Sequence, residues 1–268
     1  CSNRGYDVTL TEASKILGGR VAKERKLPGL SAWGRVADYR EYQLSQKPNV
    51  ETYLESSLNV DQVLEFGFEN VCIATGSSWR ADGVSRQHVV PILNDNSINL
   101  YTPDDIMNDK LPTGKVVIYD DDHYYMGGVI AEKLIEKGCD VTLLTPCAYV
   151  SEWSINTLEQ AEIQKRLIDM GVEIELNRGL VSISNSKLIS NCIYTQNEKE
   201  IETDNLVMVA SRKPQDQLYK DLLLKKTEWI DAGITSIKLI GDANAPGPIA
   251  WATYAGHRYA RELDTEDI

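Results

Sequence analysis

The stretch Gly5-Tyr6-Asp7-Val8-Thr9-Leu10 returns later as Gly138-Cys139-Asp140-Val141-Thr142-Leu143. At nearly the same separation, Asn70-Val71-Cys72-Ile73-Ala74-Thr75-Gly76 returns as Asn205-Leu206-Val207-Met208-Val209-Ala210-Ser211. Taken singly, each is also what any helix-to-buried-strand junction looks like, with glycine ending the helix and β-branched residues filling a parallel strand. Two matched pairs at one separation point instead to a duplicated Rossmann-like unit.

The second copy shows the plan in full. Lys115-Val116-Val117-Ile118-Tyr119 reads as a first strand, and Gly127 to Lys137 as its helix, with Val129, Ile130, Leu134 and Ile135 at helical spacing. A strand follows at 140–144. Asn156 with Glu159 has the form of a capping box, opening a helix that carries Leu158, Ala161, Leu167 and Ile168 and ends at Gly171. Further strands are expected at 172–176 and 205–210, with a β-meander near 180–184 and 187–194.

The first copy opens abruptly. Cys1-Ser2-Asn3-Arg4-Gly5 stands directly before the strand-like segment Tyr6 to Glu12, with no initiator Met and no signal peptide. In a βαβ unit a crossover helix, and before it a strand with its glycine loop, precede such a strand. Both are expected to be missing. The fold expectation is therefore α/β: two tandem Rossmann-like dinucleotide-binding domains, the first truncated at its N-terminus.

Tyr101-Thr102-Pro103-Asp104-Asp105 places proline at a first helical position, and Leu111-Pro112-Thr113-Gly114 breaks the chain again. A boundary near 110 follows. Residues 1–109 with 215–268 are expected to form one domain, and 110–214 a second one inserted into it.

Composition narrows the functional classes. Of the 268 residues 42% are apolar and 25% charged, as in soluble globular proteins, and no apolar run is long enough for a membrane span. A net charge of −12 repels phosphate backbones, and no basic stripe offsets it, so nucleic acid is not an expected partner. The five cysteines, Cys1, Cys72, Cys139, Cys147 and Cys192, include no C-x-x-C pair. That suits a reducing compartment, and a cytoplasmic location is expected.

The ends of the expected strands carry the chemistry. Glu12 closes the second strand of a dinucleotide fold, where a carboxylate accepts hydrogen bonds from both ribose hydroxyls. A solvated strand-end acid reads the same way. Gly18-Gly19-Arg20 lets backbone pass close to a pyrophosphate, with Arg20 offering charge, though an ordinary loop shares that composition. Ala74-Thr75-Gly76 ends a buried strand in small residues, where a larger side chain would block a cofactor crossing the sheet edge. Gly241-Asp242 ends the apolar strand 237–240 before a helix from about Ile249 to Leu263. There glycine permits close approach and aspartate accepts from a sugar or ribityl hydroxyl, unless the pair is a plain Gly-Asp turn.

Glu12, Leu17-Gly18-Gly19, Ala74-Thr75-Gly76 and Gly241-Asp242, in that order, resemble flavoproteins with two dinucleotide-binding domains. More particular are Leu27-Pro28-Gly29 with Trp33, Asp38-Tyr39-Arg40, and Ala74-Thr75-Gly76-Ser77-Ser78-Trp79-Arg80-Ala81-Asp82-Gly83. These resemble the trimethylamine dehydrogenase group of the old yellow enzyme superfamily, which includes dimethylamine and histamine dehydrogenases. The resemblance covers essentially the whole chain, but only the carboxy-terminal portion of such an enzyme. It implies an amino-terminal TIM barrel carrying FMN and the substrate site, and cysteines after it holding a 4Fe–4S cluster, none of them in this chain. For this chain it implies ADP, or FAD as in relatives such as 2,4-dienoyl-CoA reductase, held by the first domain through Glu12, Gly18, Gly19, Arg20, Ala74, Thr75, Gly76, Gly241 and Asp242.

The second domain departs from a cofactor-binding pattern. After strand 115–119 a G-x-G-x-x-G loop is expected to cradle a pyrophosphate. The sequence instead runs Asp120-Asp121-Asp122-His123-Tyr124-Tyr125-Met126-Gly127. Three carboxylates and two phenols repel and crowd a dinucleotide, and the following strand ends in Thr145 rather than an acid. Adjacent residues rarely converge on one ion, so a solvated or capping loop is expected here and no metal. Cys139 and Cys147 straddle a strand and cannot form a redox disulfide. His88, His257, Arg258, Trp79, Tyr124 and Tyr125 read as structural, and no residue of this chain is named as catalytic.

The expected function is thus the carboxy-terminal segment of a flavin- and iron–sulfur-dependent oxidoreductase that oxidises a small methylated or primary amine. It is expected to pass electrons to an electron-transfer flavoprotein and to be a homodimer when full length. An NAD(P)H-dependent ene-reductase of the dienoyl-CoA type is the alternative within the superfamily. A noncatalytic nucleotide-binding docking module is the alternative of another class.

Overall fold

The computed structural model describes residues 1–264, and the chain forms two compact units. Of the described residues the first comprises 1–25, 32–78 and 213–264; the second comprises 26–31 and 79–212.

The first unit begins with β1 (Val8–Thr11), α1 (Arg20–Glu24), α2 (Arg35–Ser45), β2 (Val50–Tyr53), α3 (Val60–Phe66) and β3 (Asn70–Ile73). β1 pairs with β2 in parallel, Val8 opposite Val50. Helix α3 starts where the sequence makes both halves of a capping box: Asn59 Oδ1 accepts the Gln62 N–H at 3.0 Å, and Gln62 Oε1 accepts the Asn59 N–H at 2.9 Å. Gly67, at φ 62°, ends it.

The chain passes into the second unit through β4 (Ser77–Trp79), continues through β5 (Leu93–Asn94), β6 (Asn99–Tyr101) and α4 (Pro103–Met107), and then runs β7 (Lys115–Asp120), α5 (Met126–Glu136), β8 (Asp140–Leu144), α6 (Gln160–Asp169) and β9 (Glu173–Glu175). A meander follows, β10 (Arg178–Ser184), β11 (Lys187–Cys192) and β12 (Glu198–Glu202), before β13 (Asn205–Val209) and the return strand β14 (Arg212–Pro214). Five of these strands form one sheet in the order β6-β13-β7-β8-β9, every pairing parallel. β7 lies at its centre, with Val117 opposite Leu206 on one side and Thr142 on the other.

This sheet is buried because its strands are continuous apolar runs, as helix-covered parallel strands must be. All five residues of β13 are buried. The core joins Val117, Tyr119, Leu144, Leu206 and Met208 from the sheet to Leu180, Ile183 and Leu188 of the meander. Each such aliphatic side chain contributes about 1.5–3 kcal/mol on burial. Asn205 is the polar member of β13, and its Nδ2 donates to Thr113 O at 2.9 Å and Lys115 O at 3.0 Å. Helix α4 opens as its sequence dictates, with Pro103 in the first turn and Asp105 accepting the Thr102 N–H at 2.9 Å. The boundary expected near 110 falls inside this unit, because β6 and α4 already belong to it.

One helix start departs from its sequence signature. No capping box forms between Asn156 and Glu159: Glu152–Thr157 is a 3-10 helix, Leu158 is left-handed at φ 63°, and α6 begins only at Gln160. Asn156 Nδ2 donates back to Trp153 O at 3.1 Å, which takes the side chain away from the helix it was expected to cap.

The chain returns to the first unit with α7 (Gln217–Leu224), β15 (Ser236–Leu239) and α8 (Ile249–Glu262). β15 pairs with β3 in parallel, Ile237 opposite Val71. Val63, Ile73, Leu222, Trp229, Ile234 and Ile237 form this unit's core.

The expectation of two tandem Rossmann-like domains is corrected here. Among the described residues only the second unit holds a parallel sheet of more than two strands. In the first, β1-β2 and β15-β3 are separate two-stranded sheets, and no strand among the described residues joins them. Sequence similarity between the copies reported shared strand character, and strand character does not by itself produce a shared sheet.

Candidate nucleotide-binding site

Six of the nine residues singled out in the sequence lie just beyond strand ends of the first unit, Gly18 and Gly19 form the turn before α1, and Arg20 opens that helix. Glu12 follows β1, its backbone N–H bonded to Tyr53 O at 2.9 Å and its Oε1 accepting the Ser14 N–H at 2.8 Å. Gly18 (φ 106°) and Gly19 (φ 52°) turn the chain into α1 in backbone conformations that disfavour any other residue. A Cβ on Gly18 would come within 2.8 Å of the Ala37 Cβ, so α1 and α2 meet there only because the glycine is bare.

Arg20, expected to offer charge to a pyrophosphate, is committed within the protein. Its Nη1 lies 3.1 Å from Glu24 Oε1, and its Nη2 lies 3.0 Å from Gly247 O and 3.5 Å from Asp242 Oδ2. Glu24 is fully buried, and the Arg20 side chain keeps 17% of its surface exposed. Asp242 also accepts from Ser77 Oγ at 3.1 Å and from the Gly247 N–H at 3.1 Å. The guanidinium therefore ties α1, the residue after Gly76 and the turn before α8 into one cluster.

Ala74-Thr75-Gly76 leaves β3 as expected. Thr75 Oγ1 donates to Gln215 O, and the Gln215 N–H returns a bond to Gly76 O at 2.9 Å. Gly76 (φ 81°) and Gly19 have nothing within 4 Å of where a Cβ would stand, so open space lies against bare backbone at both. Gly241 (φ 60°) sits close to Ala252 of α8. The structure thus brings Arg20 and Asp242 together, and Thr75 with Gly76, whereas no hydrogen bond among the described residues joins Glu12 to that cluster.

Sequence reasoning missed Glu24, Ser77 and Gly247. Glu24 had a legible signal: it stands four residues after Arg20, the spacing at which opposite charges meet on a helix. Ser77 had none, because its partner Asp242 is far away in sequence, and Gly247, five residues after Asp242, takes part through its backbone alone.

In the second unit, the loop after β7 corrects the first of the two alternatives expected there, a solvated or a capping loop. Asp120 and Asp121 are fully buried and His123 nearly so, which is not a solvated loop. Asp120 Oδ1 accepts the N–H groups of Asp122 at 3.2 Å and His123 at 3.0 Å, closing a tight turn in which His123 is left-handed at φ 65°. Burial pushes the Asp120 carboxyl up to about 7, reinforced by the charge of Asp122. Burial also acts on Asp121, but hydrogen bonds from His123, Ser85 and the Gln87 N–H prevail and hold it below the usual carboxylate range. His123 Nε2 lies 2.8 Å from Asp121 Oδ1. Among the described residues no group of three or more His, Cys, Asp and Glu side chains could hold a metal ion, and all five cysteines are free thiols.

The remaining candidates have packing partners. Trp79 is buried beneath the Arg212 guanidinium, 5.5 Å from its ring centre. Tyr124 and Tyr125 meet edge to face at 5.0 Å. His88 Nε2 contacts Leu180 O, and Arg258 pairs with Glu262 at 2.8 Å.

Comparison with known proteins gives three close likenesses. The histamine dehydrogenase of Rhizobium sp. 4-9 is 60% identical with a TM-score of 0.98, the alignment covering 100% of this chain and 42% of that one. The 6-hydroxypseudooxynicotine amine oxidase of Pseudomonas geniculata N1 is 39% identical with a TM-score of 0.93, covering 98% of this chain and 39% of that one. The dimethylamine dehydrogenase of Hyphomicrobium sp. (strain x) is 33% identical over 98% of this chain and 39% of its own length. Residues 101–205 match the family described as the OYE-like second alpha/beta domain, a single α/β domain lying within the second unit, in line with the one continuous sheet seen there. No helix among the described residues is long and apolar enough to cross a membrane. The chain spans about two fifths of the length of these relatives, and it is homologous to that portion of the dimethylamine and histamine dehydrogenases.

Proposed function

We propose that this chain is the carboxy-terminal segment of a flavin-dependent oxidoreductase that oxidises the C–N bond of a small methylated or primary amine, and that its first unit holds an adenine nucleotide, ADP or FAD. The observation that carries the reading is the 60% identity along the whole chain to a histamine dehydrogenase. FMN and a 4Fe–4S cluster would lie outside this segment, and electrons would leave to an electron-transfer flavoprotein, the full-length enzyme being a homodimer.

The residues present fit an adenine nucleotide. Bare backbone at Gly19 and Gly76 faces open space that a Cβ would fill, which is what close approach of a phosphate or sugar requires. Glu12, at the end of β1, would accept from the ribose hydroxyls. Gly18, Gly19, Ala74, Thr75, Gly76 and Gly241 would leave room for the nucleotide, and Asp242 would orient the turn before α8. Arg20, held between two carboxylates, contributes by fixing that turn rather than by neutralising phosphate. Bound FAD would supply a two-electron carrier, and bound ADP would supply binding energy alone.

The second unit supports no dinucleotide in this reading. A Cβ on Gly127 would overlap the Asp120 carboxyl, so the chain's own side chain fills the place beneath the helix start where a pyrophosphate would lie. Mass spectrometry of nucleotide released from the full-length protein tests the first claim: one ADP or FAD per chain is expected, and a protein free of adenine nucleotide overturns it. Titration with NADH tests the second. Stoichiometric binding with flavin reduction would defeat it.

A further inference from the structure

Among the buried polar atoms without a hydrogen-bond partner around the end of β7 are Asp120 Oδ2 and, from the connection between β8 and α6, Ser151 Oγ. Both residues are fully buried, and they lie against consecutive glycines in the first turn of α5: a Cβ on Gly127 would strike Asp120 Oδ2, and one on Gly128 would stand 3.4 Å from Ser151 Oγ. An ionised carboxylate oxygen with no donor is among the costliest groups to bury, whereas a neutral carboxyl costs far less and can donate. The surroundings do not offset a charge there. Asp121 and Asp122 follow in the same loop, Tyr119 precedes on β7, and Cys147, hydrogen-bonded to Glu152, approaches from the connection between β8 and α6. Among the described residues His123 is the cationic candidate acting on Asp120, and it is engaged by Asp121.

From this arrangement we propose that Asp120 is a proton-controlled latch. Protonated, it seals the 120–126 loop over the carboxyl end of the central strand; ionised, it draws the loop open so that water can reach Oδ2. The carboxyl ends of parallel strands are where open α/β sheets bind their ligands, so the latch governs access to that edge of the second unit.

The sign follows from linkage. The carboxyl is held at about 7 in the folded protein, above its ordinary unfolded value, so the closed loop binds the proton more tightly. Its contribution is fully present below the unfolded value and is lost as pH rises through about 7. Asp121 moves the other way and weakens only in acid.

Hydrogen exchange of the intact protein, corrected for intrinsic rates, reads the loop directly through the Asp122 and His123 amides. Between pH 6 and pH 8.5 their protection is expected to fall about tenfold in the native protein, the change in proton occupancy that one group near neutrality produces. It should stay level in Asp120→Asn, which mimics the neutral carboxyl. His123→Asn, which tolerates the left-handed backbone, should keep the fall. A pH-independent native protein, a fall that survives in Asp120→Asn, or one that vanishes in His123→Asn would each overturn the latch. Should Asp120→Asn fail to fold, infrared difference spectra of the native protein still decide: a protonated-carboxyl band must disappear as the amides lose protection, and its absence at pH 6 refutes the idea.

Discussion

Arg20 is the residue whose role changes most between sequence and structure. In the sequence it stands after two glycines like a phosphate ligand, and in the structure it lies between Glu24 and Asp242 with most of its surface covered. Glu24 has no exposed surface, so it depends on the cation it faces. Breaking a buried ion pair from one side costs about 3–5 kcal/mol, whereas removing both charges together is often close to neutral. Arg20→Met alone is therefore expected to destabilise the protein by about 3 kcal/mol, and Arg20→Met with Glu24→Gln to recover more than half of that. Denaturant melts of the single and double variants give the coupling. If Arg20→Met leaves the melt unchanged, the arginine is held for a ligand after all.

At the scale of elements, two glycines in the first unit separate packing from binding. Gly18 has φ 106° and Ala37 at 2.8 Å from its would-be Cβ, so Gly18→Ala meets both backbone strain and a helix–helix clash. Gly76 has φ 81° and open space, so Gly76→Ala meets backbone strain alone, about 1–2 kcal/mol. Calorimetry should show Gly18→Ala as the more damaging to stability. Nucleotide content should show the reverse emphasis, Gly76→Ala losing its ligand at least tenfold while still folded, and full retention there would remove Gly76 from the site. The strands, helices and glycine turns behind this contrast were legible in sequence, because each is set by local periodicity and by residues that tolerate positive φ. The start of α6 was not, because Asn156 had a nearer carbonyl in Trp153. Nor was the cluster around Asp242, whose partners Arg20 and Ser77 are brought to it by the fold rather than by spacing. The buried state of Asp120 and Asp121 was likewise hidden, since three successive acids read as surface until the loop is seen folded under α5.

For the whole molecule, the two units differ in how their backbone is protected. In the second, β7 has hydrogen-bonded strands on both sides and β13 is buried along its length. In the first, every sheet has two strands, and neither α2 nor α8 contains a fully buried residue. Two-stranded sheets are marginal without further packing, and local opening follows from few buried contacts around a hydrogen bond. Amides of β1, β2, β3 and β15 in this chain should therefore exchange at least tenfold faster than those of β7, β8 and β13, with α8 nearer to the first group. Adding the nucleotide found in the full-length protein should slow β1, β3 and β15 and leave β7 unaffected, because a ligand stabilises only the elements whose folded form binds it. Uniform protection across both units would mean that they open as one cooperative body, and slowing confined to β7 and β8 would place the nucleotide in the second unit, against the filled loop at Asp120.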